Sequence, residues 1–130
     1  MAKRHVFLSF VVEDLDLVNM FRGQAKNKNS ELEFDDYSVK KPYDSKDADY
    51  IKSQISEKIR ACSTTICLFG ETTYKSPWIT WEIEKSDKLG KKVIGVRLHS
   101  SSTKDVAPKV LTDLKAKILD WNIDAIVAEL

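Results

Sequence analysis

Residues 64–98 read TTICLFGETTYKSPWITWEIEKSDKLGKKVIGVRL, and how this stretch folds settles the architecture. It begins with TTICLFG at 64–70, β-branched and apolar throughout, the most strand-like run in the chain. It ends with KKVIGVRL at 91–98, a second run of the same kind. Between them lies a helix with its punctuation intact. Ser76 is a favoured N-cap, and Pro77 fits the first helical position, where its missing N–H is not needed. Gly90 supplies the residue after the last turn, and Lys88 suits the negative end of the dipole. The expectation is a helix from Ser76 to Leu89 joining two strands. Apolar strands connected through helices form a parallel sheet covered on both faces.

The alternation continues in both directions. HVFLSF at 5–10 reads as a buried strand, and VEDLDLVNMFRGQAK places Leu15, Val18, Phe21 and Ala25 at helical spacing. ELEFDD at 31–36 reads as a second strand, followed by the polar loop SVKKPYDS. Ile51, Ile55, Ile59 and Cys62 then recur every three or four residues, which predicts a helix. Beyond residue 98, Pro108 to Leu114 is expected as a short helix and Ile118 to Trp121 as a fifth strand. Asn122 caps a last helix to Leu130. The fold expected is α/β: a doubly wound, flavodoxin-like, mostly parallel five-stranded sheet with helices on both faces. One domain is expected to span residues 1–130.

Composition narrows the function. The chain has 130 residues, 42% of them hydrophobic, which suits a single core. A net charge of +1 with mixed signs argues against a nucleic-acid or anionic-membrane partner. Apolar runs stop far short of the roughly 20 residues a membrane span needs. MAKRHVFLSF, basic then briefly apolar and soon acidic, does not make a secretory signal, so a cytoplasmic location is expected. Cys62 and Cys67 form no CxxC pair and read as reduced, buried thiols. His5 and His99 belong to no cluster with ligand spacing, so no metal site is expected. The four glycines assemble no nucleotide-binding loop.

The helix from Ser76 carries an anomaly. At about 100° per residue, Trp78, Trp81, Glu82, Lys85 and Leu89 share one face, with Ile79, Ile83 and Ser86 beside it. Aromatic rings are costly to leave in water, and carboxylates are costly to take out of it. The ordinary reading is two core tryptophans and a Glu82–Lys85 pair at i, i+3. Position argues for more. In doubly wound sheets ligands bind outside the carboxyl ends of the strands. The loops Ser9–Asp14, Asp35–Asp47 and Gly70–Trp78 should gather there, with Glu82 in the helix that follows the third.

In sequence the chain resembles a TIR domain. HVFLSFVVED resembles the first box of that family, and FDDYSVKKP with its following loop resembles the second. SPWITWE resembles the Ser-x-Trp-x-x-x-Glu motif of catalytic TIR domains, and Val11-Val12 stands where the family carries an Arg-Gly pair. The resemblance runs from about His5 to Leu98 and is strongest to short bacterial TIR-like proteins of the Thoeris antiphage-defence type. It implies an NAD nucleosidase or ADP-ribosyl cyclase type of enzyme, releasing a cyclic or modified ADP-ribose that activates a downstream effector. NAD is then a substrate, and no cofactor is implied. Glu82 is the implied catalytic residue. Ser9, Phe10, Asp36, Trp78 and Trp81 are the implied substrate-binding residues, the indoles suiting a flat cationic ring through cation–π attraction. Self-association through TIR surfaces is also implied. The alternative is a non-catalytic self-association or signalling module. A phosphorelay receiver fits poorly, because Gly70-Glu71 stand where a receiver needs an aspartate. A flavin carrier fits poorly too, because FVVED replaces a hydroxyl-rich phosphate loop.

Overall fold

The computed structural model describes residues 4–28, 32–37, 43–99 and 104–130. Strand β1 (Arg4–Ser9) leads through a 3-10 turn at Val12–Asp14 into helix α1 (Leu15–Lys28). Strand β2 (Leu32–Asp36), helix α2 (Ala48–Arg60) and strand β3 (Thr64–Phe69) follow. A second 3-10 turn at Thr73–Lys75 precedes helix α3 (Pro77–Lys88) and strand β4 (Lys92–Arg97). Helix α4 (Lys109–Asp113), strand β5 (Lys117–Leu119) and helix α5 (Ile123–Glu129) complete the order. The strands lie in the order β2-β1-β3-β4-β5, and every pair is parallel. This is the flavodoxin-like doubly wound arrangement the sequence leads one to expect.

Alternation along the strands sorts the core into two faces. Val6, Leu8 and Phe10 of the first strand and its exit face Val18, Phe21 and Ala25 of α1 and Ile126 of α5. Phe7 faces the other way, against Ile51, Ile55 and Ile59 of α2 and Trp78 of α3. On that same side Cys67 and Phe69 meet Ile79 and Ile83 of α3 and Leu111 of α4. Strand β3 is buried at all six positions, as befits the middle of a two-sided sheet.

Differences from expectation fall at element ends. The first helix is preceded by a tight turn in which the Asp14 N–H donates to the Val11 carbonyl (3.0 Å), so regular helix starts only at Leu15. Cys62 lies beyond α2 and is buried there without being helical. Strand β5 ends at Leu119, before Trp121, which packs edge-on to Phe21 and donates from Nε1 to Gln24 (2.8 Å). A partner on α1 draws that indole off the sheet. Residues 38–42 of the loop SVKKPYDS lie outside the described residues.

Candidate functional site

Local chemistry fixes α3 at both ends. The Ser76 Oγ accepts from the Ile79 N–H (3.4 Å), and Pro77 occupies the first position. At the other end Gly90 adopts φ +74°, and the Lys91 N–H reaches the Ser86 carbonyl while the Gly90 N–H reaches that of Asp87. That pairing is a Schellman closure, which needs the left-handed residue that glycine supplies. With its ends set, the helix buries Trp78, Ile79, Glu82, Ile83 and Ser86. The buried stripe is therefore turned from the tryptophan face toward the isoleucines, and Trp81 is left half-buried.

Glu82 sits where the two apolar clusters of this sheet face meet. Trp78 and the α2 isoleucines lie to one side, Ile79, Ile83 and Phe69 to the other. Its exposure is 0%. The Ser9 hydroxyl, at the end of β1, donates to Glu82 Oε1 over 2.6 Å. That distance is typical of a hydroxyl bonded to an ionised acceptor. Ser9 is in register with Cys67 on β3, so the carboxylate lies over the junction of the two central strands. Burial pushes the Cys67 thiol well above the ordinary cysteine range, and the charge of Glu82 pushes it further. Both neighbours are thus neutral at physiological pH.

The other expected site residues divide. Trp78 is 6% exposed and packs into the α2 cluster, edge-on to Tyr43 (5.0 Å between centroids) and to Trp81 (6.3 Å). Lys52 Nζ lies 4.6 Å from the Tyr43 centroid and 5.8 Å from that of Trp81. A cation of the protein therefore already occupies the neighbourhood expected for a substrate ring. Phe10 is 2% exposed and packs toward α1, with the Arg22 guanidinium 5.9 Å from its centroid. Asp36, expected to reach a substrate hydroxyl, is ion-paired with Arg22 on that same α1 side. Alternation explains the split: Ser9 and Phe10 are neighbours in sequence and must face opposite ways. Ser9 and Glu82 are brought together, Trp78 and Trp81 adjoin them, Asp36 lies across the sheet, and Phe10 packs toward α1 where the strand exits.

The carboxyl ends of β1 and β3 hold a cleft of about 500 Å3 that begins one residue beyond Ser9 and is lined by neither Ser9 nor Glu82. Phe10, Val11, Val12 and Glu13 form one wall, and Thr72, Lys75 and Ser76 the other. The connections from β1 and β3 leave to opposite faces here, which is the switch point at which doubly wound sheets take ligands. The volume is within the range of small-molecule sites. Among the described residues, no group of three His, Cys, Asp or Glu side chains could hold a metal ion.

Sequence reasoning did not find Asp14. Its carboxylate lies against Gly70, where a Cβ would stand 2.8 Å from Oδ2, and that oxygen is buried without a hydrogen-bond partner among the described residues. Close by, Asp105 accepts from the His99 backbone N–H (2.6 Å) and contacts His99 Nδ1 (2.7 Å). Only the folded chain unites positions 14, 70, 99 and 105, and no spacing announces them. Burial raises the Asp14 pKa above the ordinary aspartate value; His99 opposes the shift, and Asp105, Glu13 and Glu71 reinforce it. A raised folded pKa means that the native state binds the proton more tightly than the unfolded chain does. Stability from this group is present in acid and lost as pH rises through the folded pKa. Asp14→Asn is therefore expected to raise Tm at neutral pH, with the gain vanishing near pH 3. Melting curves across that range check it, and a gain independent of pH refutes it.

A family model described as Thoeris protein ThsB, TIR-like domain, matches residues 7–103. None of the curated proteins matches the sequence significantly. Among solved structures, the CMP N-glycosidase BcmB of Clostridium botulinum superimposes with a TM-score of 0.61 at 16% identity, over 97% of each chain. The TIR domains of the activated Roq1 resistosome give a TM-score of 0.45 at 23% identity, over 73% of this chain and 57% of theirs. No described helix is long and apolar enough to cross a membrane.

Proposed function

The chain belongs to the ThsB TIR-like family, and from that premise we propose that it cleaves the nicotinamide–ribose bond of NAD, with Glu82 as the catalytic residue. The observation that carries the reading is the Glu82 carboxylate, fully buried and held by Ser9, whose next residue in the chain, Phe10, lines the cleft at the β1–β3 switch point. Breaking this bond builds oxocarbenium character on the ribose, as in glycoside cleavage. A fixed carboxylate in a dry site stabilises such charge far better than one in water. Nicotinamide departs as a neutral molecule from a cationic one, so the leaving group needs no proton.

That last point favours NAD over other nucleotides. Cytosine leaving from CMP calls for an acid, and two of the groups beside Glu82 are the Ser9 hydroxyl and a Cys67 thiol pushed upward in pKa. Neither is an acid at neutral pH. The likeness to BcmB nevertheless makes CMP the proper control. Incubation with NAD, and separately with CMP, followed by mass spectrometry of the products, tests the reading. Released nicotinamide with hydrolysed, cyclic or conjugated ADP-ribose supports it. Cytosine release without NAD consumption transfers the role to a CMP-type substrate. Consumption of neither leaves a non-catalytic interaction module.

Glu82 is closed to solvent, so substrate reaches it only after the surrounding wall opens. Ordering a loop around the substrate costs about 1–2 kcal/mol per fixed backbone residue. In the proposed reading a second copy of the chain offsets that cost through TIR-type self-association, and the nucleotide product then acts on a downstream effector in antiphage defence. Specific activity is accordingly expected to rise with protein concentration. An activity per molecule that is high and constant over a hundredfold dilution refutes the self-association part alone.

A further inference from the structure

Beneath Glu82 runs a second set of hydroxyls. Ser86 Oγ lies 2.8 Å from the Glu82 carbonyl and 2.7 Å from Thr65 Oγ1. Thr65 and Ser86 both have 0% exposure. A carbonyl has no hydrogen to give, so the single hydroxyl hydrogen of Ser86 goes to Glu82. Thr65 must then be the donor in its contact with Ser86. The chain of bonds runs from Thr65 O–H to Ser86 Oγ, and from Ser86 O–H to the Glu82 C=O. Thr65 itself is held on both sides, in register with Phe7 of β1 and Val93 of β4.

A serine bonding back to the carbonyl four residues earlier is common in helices. What is particular here is the hydroxyl from the central strand that holds that serine in place. Glu82 is thereby located at two points: β1 fixes its carboxylate through Ser9, and β3 fixes its backbone through Thr65 and Ser86. Fold stability does not by itself require the lower pair, because exchanging both partners of a buried hydrogen bond for apolar groups of like shape is close to neutral. Resting on the reading of Glu82 as the catalytic group, we propose that Thr65 and Ser86 are positioning residues, setting the register of α3 against β3 so that the Glu82 carboxylate meets the ribose. A misplacement of about 1 Å is enough to cost on the order of a hundredfold in rate.

The test uses Thr65→Val, Ser86→Ala, the double variant and the conservative Thr65→Ser. Ser86→Ala leaves the Thr65 donor buried without its acceptor and is expected to lower Tm. The double variant should recover Tm, since both polar partners are gone, yet keep a kcat for NAD reduced about tenfold or more with KM unchanged. Thr65→Ser, which retains the donor, should keep the parental kcat. Parental kcat in a well-folded double variant overturns the proposal, as does recovery of Tm and kcat together. Should the double variant not fold, Thr65→Val against Thr65→Ser carries the same comparison. A readout independent of turnover is the carboxyl-carbon NMR titration of Glu82. Its midpoint should move in Thr65→Val and stay put in Thr65→Ser. If the parent consumes neither NAD nor CMP, the enzymatic reading fails, and this titration still decides whether the pair positions Glu82.

Discussion

Glu82→Gln is expected to yield a folded protein whose turnover of NAD, in the proposed reading, is lower by about 10²–10³-fold, the usual consequence of losing one preorganised electrostatic group. The amide oxygen can still accept from the Ser9 hydroxyl, so that contact survives. What disappears is the charge, and with it the stabilisation of a ribose that turns cationic in the transition state. Stability should hold or improve, because an ionised carboxylate fully enclosed between two apolar clusters gains little from burial. The same variant should lower the Cys67 pKa, since the charge of Glu82 is one of its two causes, while burial, the larger cause, keeps the thiol unreactive. Thermal melting, NAD consumption and thiol alkylation are measured together. Turnover at the parental rate in a well-folded Glu82→Gln protein would falsify the catalytic assignment.

Trp78→Ala is expected to be the most damaging substitution for the fold, at about 3–5 kcal/mol. The indole is 6% exposed, packed against Ile51 and Ile55 of α2 and edge-on to two further aromatics. In a chain of this size that corresponds to a fall in Tm of roughly 10–20 °C. Trp78→Phe keeps a ring in the same place and should lose much less. Because the structure puts this side chain in the core, Trp78→Phe should retain the parental KM for NAD. A KM raised tenfold in a Trp78→Phe protein of near-parental Tm would instead make the indole a substrate contact.

How far the sequence could be read depended on the range of the forces involved. The ends of α3 were legible because capping is local: Ser76, Pro77 and Gly90 act within four residues of themselves. The parallel sheet was legible because two-sided burial leaves an unbroken apolar run, as in β3. The junction of Ser9 with Glu82 needed a resemblance, since 73 residues separate them. The partners of individual side chains were not legible. Asp36 meets Arg22 because α1 happens to carry a guanidinium over that sheet position, and Lys52 reaches the Tyr43 and Trp81 rings from α2. Periodicity gave α3 an aromatic stripe, yet the neighbouring helices decided which of its two tryptophans is enclosed. The Thr65–Ser86 bond joins a strand to a helix through two unremarkable hydroxyls, and no composition or spacing marks such a pair.

The closure of Glu82 also has a bearing on motion. β1 and β3 are interior strands, each bonded on both sides, so their amides should open only with the whole molecule. The first two turns of α3, carrying an enclosed charge and entered from a 3-10 turn exposed at Tyr74 and Lys75, border that frame without joining its backbone hydrogen bonds. Under native conditions their amides should therefore exchange with deuterium well before those of Ser9 and Cys67. In the proposed reading, the protein would then admit its substrate by brief, local loosening of one helix end against the sheet, and the frequency of that opening would bound turnover from above.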